Sequence, residues 1–135
     1  MDKVVVDTSA WIDFFVHPTS TAATVVDQLL KDDLVCVTGV VIAELFQGAR
    51  TAQSRETLLV KFQALPYLET SREHWVTAGL LAASLRQQGT TLPLTDVLIA
   101  TVAQAHQCRI YTTDRHFTRI PHLTLYQPRR HTAFP

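Results

Sequence analysis

The chain has 135 residues, of which 47% are hydrophobic, and it carries 12 acidic and 12 basic residues. This length suits a single domain with its own core, and no apolar stretch is long enough to predict a membrane span. A net charge of zero argues against a dedicated basic nucleic-acid-binding module, although an even balance can hide an acidic pocket within a basic surface.

The predicted elements alternate between strands and helices along the chain. In chain order they are strand 3–6, helices 9–15 and 21–32, strand 34–37, helices 40–46 and 54–65, short strand 67–68, helices 70–89 and 97–107, and strands 109–112 and 123–126. Thr70 and Glu73 have the spacing of a capping box at the start of the fifth helix. We expect one α/β domain over 1–135 with a mainly parallel sheet, and a surface tail from about residue 127.

The two cysteines, Cys36 and Cys108, lie in apolar surroundings and match no metal-ligand spacing. We expect both to be buried, reduced thiols of a cytoplasmic protein. The first residues lead directly into a strand and lack the features of a secretory signal, which agrees with that location.

Four acidic residues occupy positions that surface solvation does not readily explain. Asp7 and Asp114 follow predicted strands, Asp96 begins an apolar helix, and Glu44 interrupts another one. The carboxyl ends of parallel strands and the starts of the helices behind them share one edge of a sheet. All four acids can therefore converge on one site.

Each acid also has a purely structural explanation. Asp7 and Asp96 suit the N-caps of the helices that follow them, and Asp114 suits a turn. Glu44 is harder to explain, because it is flanked by apolar residues and has no Lys or Arg three or four positions away. The site is absent only if all of these explanations hold together.

Four convergent carboxylates require positive charge. Two carboxylates about 4 Å apart repel by roughly 4 kcal/mol at an effective dielectric constant of 20. Oxygen ligands without Cys or a His pair suit Mg²⁺ or Mn²⁺ rather than Zn²⁺. Such ions activate water and bind phosphate oxygens, so this chemistry favours phosphodiester hydrolysis.

Four segments resemble, in order and at the right length, the motifs of the PIN domain family. They are DTSAWID at 7–13, IAEL at 42–45 followed by GAR at 48–50, LTDVLIA at 94–100, and YTTDRHF at 111–117. The resemblance is strongest to the VapC toxins of bacterial type II toxin–antitoxin systems. Any one motif is weak, but four in register over essentially the whole chain are specific.

This resemblance implies a three-layer α/β/α sandwich with a central parallel sheet and a Mg²⁺-dependent endoribonuclease site, with Mn²⁺ as a substitute. The implied catalytic acids are Asp7, Glu44, Asp96 and Asp114. Of these, Asp7, Asp96 and Asp114 would ligate the metal. The hydroxyl side chains implied to orient the carboxylates or a bound water are Thr8, Ser9 and Thr112.

Three side chains beside the proposed site, Arg115, His116 and Arg119, are candidates for RNA phosphate contacts. Many relatives carry a further acid at the position of His116, so we expect one tightly bound metal ion here. The alternative to a phosphate contact by His116 is a purely structural, partly exposed histidine. The resemblance also implies a homodimer and a cognate antitoxin whose C-terminal segment blocks the site.

Other functions stay open at this point. A structure-specific DNA nuclease would share the acidic site, and a non-catalytic PIN-like module for RNA or protein would use the acids only as helix caps. A phosphatase of the haloacid dehalogenase type needs an acid two residues after Asp7, where this chain has Ser9. The sequence leaves transfer, ribosomal and messenger RNA equally open as substrates.

Overall fold

A four-stranded parallel sheet lies at the centre of the computed structural model, which describes residues 2–128. Its strands are β1 (Val4–Val6), β2 (Val35–Thr38), β3 (Tyr67–Leu68) and β4 (Arg109–Tyr111), in the spatial order β3-β2-β1-β4. Each neighbouring pair is parallel, with Val5 of β1 opposite Cys36 and Ile110. The predicted mainly parallel sheet is confirmed.

Six α-helices surround this sheet within the described part of the chain. They are α1 (Thr8–Val16), α2 (Thr21–Lys31), α3 (Gly39–Gly48), α4 (Ala52–Gln63), α5 (Arg72–Gln87) and α6 (Leu94–Ala105). Every predicted helix is present, with its ends moved by three residues at most.

The core lies on both faces of the sheet. Successive side chains of a strand point to opposite faces, and all three valines of β1 and all four residues of β2 are buried. Helices therefore cover both faces, which confirms the three-layer α/β/α architecture. Helix α6 is buried along seven consecutive residues, Val97 to Ala103, so it packs deep inside one of the outer layers.

Two predicted details were wrong. The strand expected at 123–126 is reduced to a single parallel bridge between Leu125 and Ile110. The capping box is shifted by one residue from Thr70 and Glu73. The Ser71 hydroxyl accepts from the backbone N–H of His74 at 3.3 Å, and Nδ1 of His74 accepts from the N–H of Ser71 at 3.0 Å. An unprotonated imidazole nitrogen accepts a hydrogen bond as a glutamate oxygen does, so His74 takes the place expected for Glu73 and the box begins at Ser71.

Three helices end in a residue with a left-handed backbone. Gly89 follows α5 with φ 87°, whereas Asp33 after α2 and Gln107 after α6 adopt φ of 57° and 59° without being glycine. In the last case the N–H of Cys108 donates to the carbonyl of Ala103 at 2.8 Å, the bond typical of a Schellman motif.

Cys36 and Cys108 are buried and free, with their sulfur atoms 3.9 Å apart. Burial, followed by the neighbouring Cys108, raises the pKa of the Cys36 thiol to about 12, so it stays protonated at neutral pH. No helix between residues 2 and 128 combines the length and the apolar character that crossing a membrane requires. Most of the predicted surface tail, from residue 129, lies outside the described residues.

Candidate active site

The four acids singled out by the sequence belong to four different elements at one edge of the sheet. Asp7 directly follows β1, and Asp114 follows β4 after two threonines. Since β1 and β4 are parallel neighbours, their carboxyl ends lie side by side. Glu44 comes from α3, which follows β2, and Asp96 lies in the first turn of α6.

Asp7 is buried and receives hydrogen bonds at both carboxylate oxygens. Oδ1 accepts from the Ser9 hydroxyl at 2.8 Å and from the backbone N–H of Ala10 at 3.1 Å, and Oδ2 accepts from the Thr112 hydroxyl at 2.8 Å. Asp7 is therefore the N-cap of α1, as expected from its position before this helix. Burial raises the pKa of Asp7, and these hydrogen bonds oppose that rise.

Asp96 is not a helix cap. The N-cap residue of α6 is Pro93, with no side-chain cap, and Asp96 is the third residue of the helix. Burial, and after it the charges of Asp114, Asp7 and Glu44, raise the pKa of Asp96 to about 6. The negative charges of all three other acids thus act on the carboxylate of Asp96.

Glu44 is half-buried and is bound by a hydroxyl rather than by a cation. Its Oε1 accepts from the Thr8 hydroxyl at 2.7 Å, a contact that connects the start of α1 to α3. No Lys or Arg forms an ion pair with any of the four acids within residues 2–128. The negative charge of the cluster is therefore not neutralised by any Lys or Arg of the described chain.

Asp114 caps the short 3₁₀ helix Arg115–Arg119 and has a histidine partner. Its Oδ1 lies 2.9 Å from the backbone N and 2.9 Å from Nδ1 of His116. The backbone N–H of Asp114 in turn donates to the Thr112 hydroxyl at 2.9 Å. Thr112 therefore holds Asp7 and Asp114 in a fixed relation, whereas Arg115 and Arg119 are exposed beside the cluster.

One residue of this network was missed by the sequence reasoning. The hydroxyl of Thr113 donates a hydrogen bond to Oγ of Ser9 at 3.0 Å, and the Ser9 hydroxyl in turn donates one to Asp7. Thr113 is exposed in the loop after β4, and no periodicity or spacing marks it. Only its position between Thr112 and Asp114 could have drawn attention to it.

The donor set has the chemistry that a hard divalent cation requires. Every candidate ligand is a carboxylate oxygen, and the cluster holds excess negative charge. No three Asp, Glu, His or Cys side chains of residues 2–128 are already grouped so as to hold a metal ion. Asp7, Asp96 and Asp114 remain the candidates for metal binding.

A groove of about 510 Å³ opens beside the cluster, between α1, α3 and α4. Glu44 forms part of its wall, so the groove reaches the acidic site. The apolar side chains that line it include Ile12, Phe15, Val16, Leu45, Ala49 and Leu58.

Comparison with known proteins gives consistent matches along the chain. The sequence model of the PIN domain family matches residues 4–123. A VapC ribonuclease of Mycobacterium bovis and ribonuclease VapC11 of Mycobacterium tuberculosis are each 30% identical over 128 residues, covering 92% of this chain and 96% of the relative.

Solved structures share the fold at lower identity. VapBC2 from Rickettsia felis bound to a promoter DNA fragment has a TM-score of 0.76 and 23% identity, covering 91% of this chain and 96% of the other. DNA-bound VapBC from Salmonella typhimurium has a TM-score of 0.74 and 22% identity, covering 93% and 98%.

Proposed function

Since this chain belongs to the PIN domain family, we propose that it is a metal-dependent endoribonuclease and the toxin of a toxin–antitoxin pair. The observation that carries the proposal is the convergence of Asp7, Glu44, Asp96 and Asp114, from four elements, on one sheet edge without a Lys or Arg partner among residues 2–128. The relatives at 30% identity are named VapC ribonucleases, which supports the same activity.

Asp7, Asp96 and Asp114 would hold Mg²⁺, or Mn²⁺ in its place. When bound, such an ion supplies a more acidic water and stabilises charge on the phosphate oxygens. The protein contributes the positions of the ligands: Ser9 and Thr112 fix both oxygens of Asp7. Because like charges repel, the carboxylates are expected to draw closer together only when the cation binds.

Glu44 is suited to receive a proton from the attacking water. Its Oε1 is taken by the Thr8 hydroxyl, which leaves Oε2 as the oxygen available for a second contact. Proton transfer to a positioned carboxylate is ordinary general-base chemistry.

Arg115 and Arg119 are suited to bind the RNA backbone. Both are exposed on the 3₁₀ helix that Asp114 caps, so their guanidinium groups extend from the edge of the acidic cluster. Contacts of this kind position a nucleic acid without reading its sequence. His116 contacts Asp114 through Nδ1, which leaves Nε2 of its exposed ring as the atom that would contact a phosphate oxygen.

The groove between α1, α3 and α4 is suited to the antitoxin. It is lined largely by apolar side chains and has Glu44 in its wall, so a partner helix laid in it would cover the acidic site at the same time. One solved neighbour is described as a toxin–antitoxin complex and another as a member of the VapBC family of toxin–antitoxin systems, which supports an antitoxin partner. We propose in addition that the toxin forms a homodimer.

Cleavage of total cellular RNA by the purified protein would test the activity. Wild type, Asp96→Asn and Asp27→Asn are incubated with Mg²⁺, with Mn²⁺ and with EDTA, and new 5′ ends are mapped. Asp27 is a surface acid paired with Lys31, so its variant controls for the loss of one charge. Discrete fragments that require metal and Asp96 but not Asp27 are expected.

Two results would contradict the proposal. Equal cleavage by wild type and Asp96→Asn would remove the acidic cluster from the reaction. Cleavage of structured DNA but not RNA would favour the DNA nuclease, and no cleavage together with no thermal stabilisation by either ion would favour a non-catalytic binding module.

A further inference from the structure

Two buried thiols lie close together in the fold although 72 positions separate them in the sequence. The sulfur of Cys36 is 3.9 Å from the sulfur of Cys108, and both cysteines are free. Cys36 is fully buried and Cys108 is 5% exposed. Each sulfur also contacts a backbone carbonyl at 3.6 Å, that of Val4 and that of His106 respectively. The proposed nuclease chemistry uses neither thiol.

The sheet places the two thiols on one of its faces, on either side of β1. Val5 is the partner of Cys36 in β2 and of Ile110 in β4, so these side chains share a face. Cys108 lies two residues before Ile110, and its side chain therefore points to the same face. Both cysteines are near the amino ends of their strands, whereas the acidic cluster lies at the carboxyl ends. The thiol pair is thus separate from that cluster.

This placement does not suit a disulfide. Neighbouring strands lie about 4.8 Å apart, so the Cα atoms of Cys36 and Cys108, with β1 between them, are about 9.6 Å apart. A disulfide joins Cα atoms that are at most about 7 Å apart. Oxidation of the pair would therefore require the sheet to distort.

A metal ion between the sulfurs supplies the length that a disulfide lacks. With thiolate–metal bonds of about 2.3 Å, sulfurs 3.9 Å apart reach one ion at an angle of about 116° between the two bonds. A linear arrangement needs a separation of about 4.6 Å. Cys108 borders an open cavity, so its sulfur has room to move by the small additional distance.

We propose that Cys36 and Cys108 form a binding site for one soft monovalent metal ion, Cu⁺. Thiolates select soft ions of this kind, whereas Mg²⁺ and Mn²⁺ prefer oxygen ligands. Binding breaks two S–H bonds and forms two S–Cu bonds. Both protons leave to solvent, and no atom is oxidised or reduced.

The number of ligands distinguishes Cu⁺ from Zn²⁺ at this position. A structural zinc site takes four protein ligands in a tetrahedral arrangement. Within residues 2–128, no third Asp, Glu, His or Cys side chain is grouped with the two thiols. The pair therefore suits an ion that two sulfurs can satisfy.

The surroundings of the pair offer a route from solvent and a compensating charge. Cys108 lines a cavity of about 450 Å³ together with Arg109 and His122, and Cys36 lies directly behind it. Two thiolates and one monovalent ion carry one negative charge. Burial, and after it Cys108, raise the pKa of the Cys36 thiol, and the positive charge of Lys3 opposes that rise. The same ammonium group would stabilise the anionic complex.

The bound ion joins β2 to the start of β4 across β1. Because it binds the folded chain, it is expected to raise the melting temperature. The site shares no residue with the acidic cluster, so the inference does not depend on the proposed nuclease activity.

The test measures the transfer of Cu⁺ from its bicinchoninate complex to the full chain, in oxygen-free buffer without added thiols. We expect wild type to take up one ion per chain, to show thiolate-to-copper absorbance and to melt at a higher temperature. Cys108→Ala and Cys36→Ala should each weaken binding by more than about a hundredfold, the most that loss of an outer-shell partner causes. Circular dichroism confirms folding, and Cys108→Ala decides the result if Cys36→Ala does not fold.

Two control variants keep both thiols. His122→Ala is matched, since His122 lines the same cavity and is not a proposed ligand. This variant and Asp96→Asn should bind Cu⁺ as wild type does. Zn²⁺ should not be retained against a chelator, because two sulfurs leave its coordination incomplete.

Three results would overturn the proposal. They are a wild type that withdraws no copper from bicinchoninate, binding that survives Cys108→Ala, and binding that is lost in His122→Ala. Retention of Zn²⁺ that requires both cysteines would assign the pair to a different class of metal ion. None of these results bears on whether the acidic cluster cleaves RNA.

Discussion

Replacing Asp96 by asparagine should stabilise the metal-free protein at neutral pH while abolishing its activity. Burial and three neighbouring carboxylates raise the pKa of Asp96 from an ordinary value of 3.8 to about 6. Between these two pH values the folded state binds more protons than the unfolded state, so the stability of wild type falls as the pH rises. Above pH 6 the full cost of the ionised Asp96 is present.

The free-energy cost of ionising Asp96 in the folded protein follows from the rise in its pKa. A rise in pKa from 3.8 to about 6 corresponds to at most about 3 kcal/mol. Solvent screening at a half-buried carboxylate reduces this free energy to about 1–2 kcal/mol. For a domain of this length, 1 kcal/mol moves the melting temperature by about 4 °C. We expect Asp96→Asn to melt about 4–8 °C above wild type at pH 8 in EDTA, and at the same temperature as wild type near pH 4.

Thermal melts followed by circular dichroism at several pH values would measure this difference. Asp27→Asn, which alters an exposed acid on α2, should show no pH-dependent rise in melting temperature. Added Mg²⁺ should raise the melting temperature of wild type and leave Asp96→Asn unchanged, because only the complete ligand set binds the ion. A gain of the same size at pH 4 and pH 8, or no gain at all, would refute the reasoning.

Three further predictions concern single side chains. Thr112→Val removes a hydrogen bond to Asp7 and should lower the free energy of unfolding by about 1.5–3 kcal/mol in urea; an unchanged value would mean that this hydroxyl holds nothing in place. Gln107→Gly should raise the free energy of unfolding by about 1 kcal/mol, since φ of 59° is strained for any residue with a Cβ; a loss of stability would contradict this. Val16→Glu, in the wall of the groove and 62% exposed, should leave RNA cleavage intact but abolish inhibition by the antitoxin; full inhibition in the cleavage assay would place the antitoxin elsewhere.

The sequence allowed the fold to be predicted well because its periodicities are strong. Apolar, largely β-branched runs marked β1 and β2, and apolar residues at helical spacing marked α2 and α3. Pro66 marked the end of α4, and a capping-box pattern marked the start of α5. The strand predicted at 123–126 is not formed as such, because pairing with a neighbouring strand is a tertiary contact that local sequence does not specify. Its apolar residues do pack near β4, but the backbone pairs with Ile110 at a single bridge.

The candidate site was predictable as a location but not as a network. Parallel strands bring their carboxyl ends to one edge, so the position of Asp7 beside Asp114 followed from topology. The bond from Thr8 to Glu44 depends on how α1 and α3 pack, across 36 residues of sequence. The role of Thr113 depends on the conformation of one exposed loop. Local patterns carry neither kind of information.

Helix starts explain how so many acids can share one edge in the absence of a cation. Asp7 caps α1, Asp96 lies in the first turn of α6, and Asp114 caps the 3₁₀ helix. Free N–H groups at a helix start carry partial positive charge, which stabilises a carboxylate by about 0.3–1 kcal/mol each. Glu44, in the middle of α3, lacks this support and is held by the Thr8 hydroxyl instead.

Capping and metal binding are therefore not competing explanations for these acids. A carboxylate has two oxygens with several lone pairs, so one N–H bond leaves capacity for a cation. In Asp114 the backbone N–H and the imidazole of His116 both contact Oδ1, and no described hydrogen bond occupies Oδ2. The helix-start positions of Asp7, Asp96 and Asp114 keep these carboxylates at the edge of the sheet, where lone pairs that no hydrogen bond uses can bind an ion.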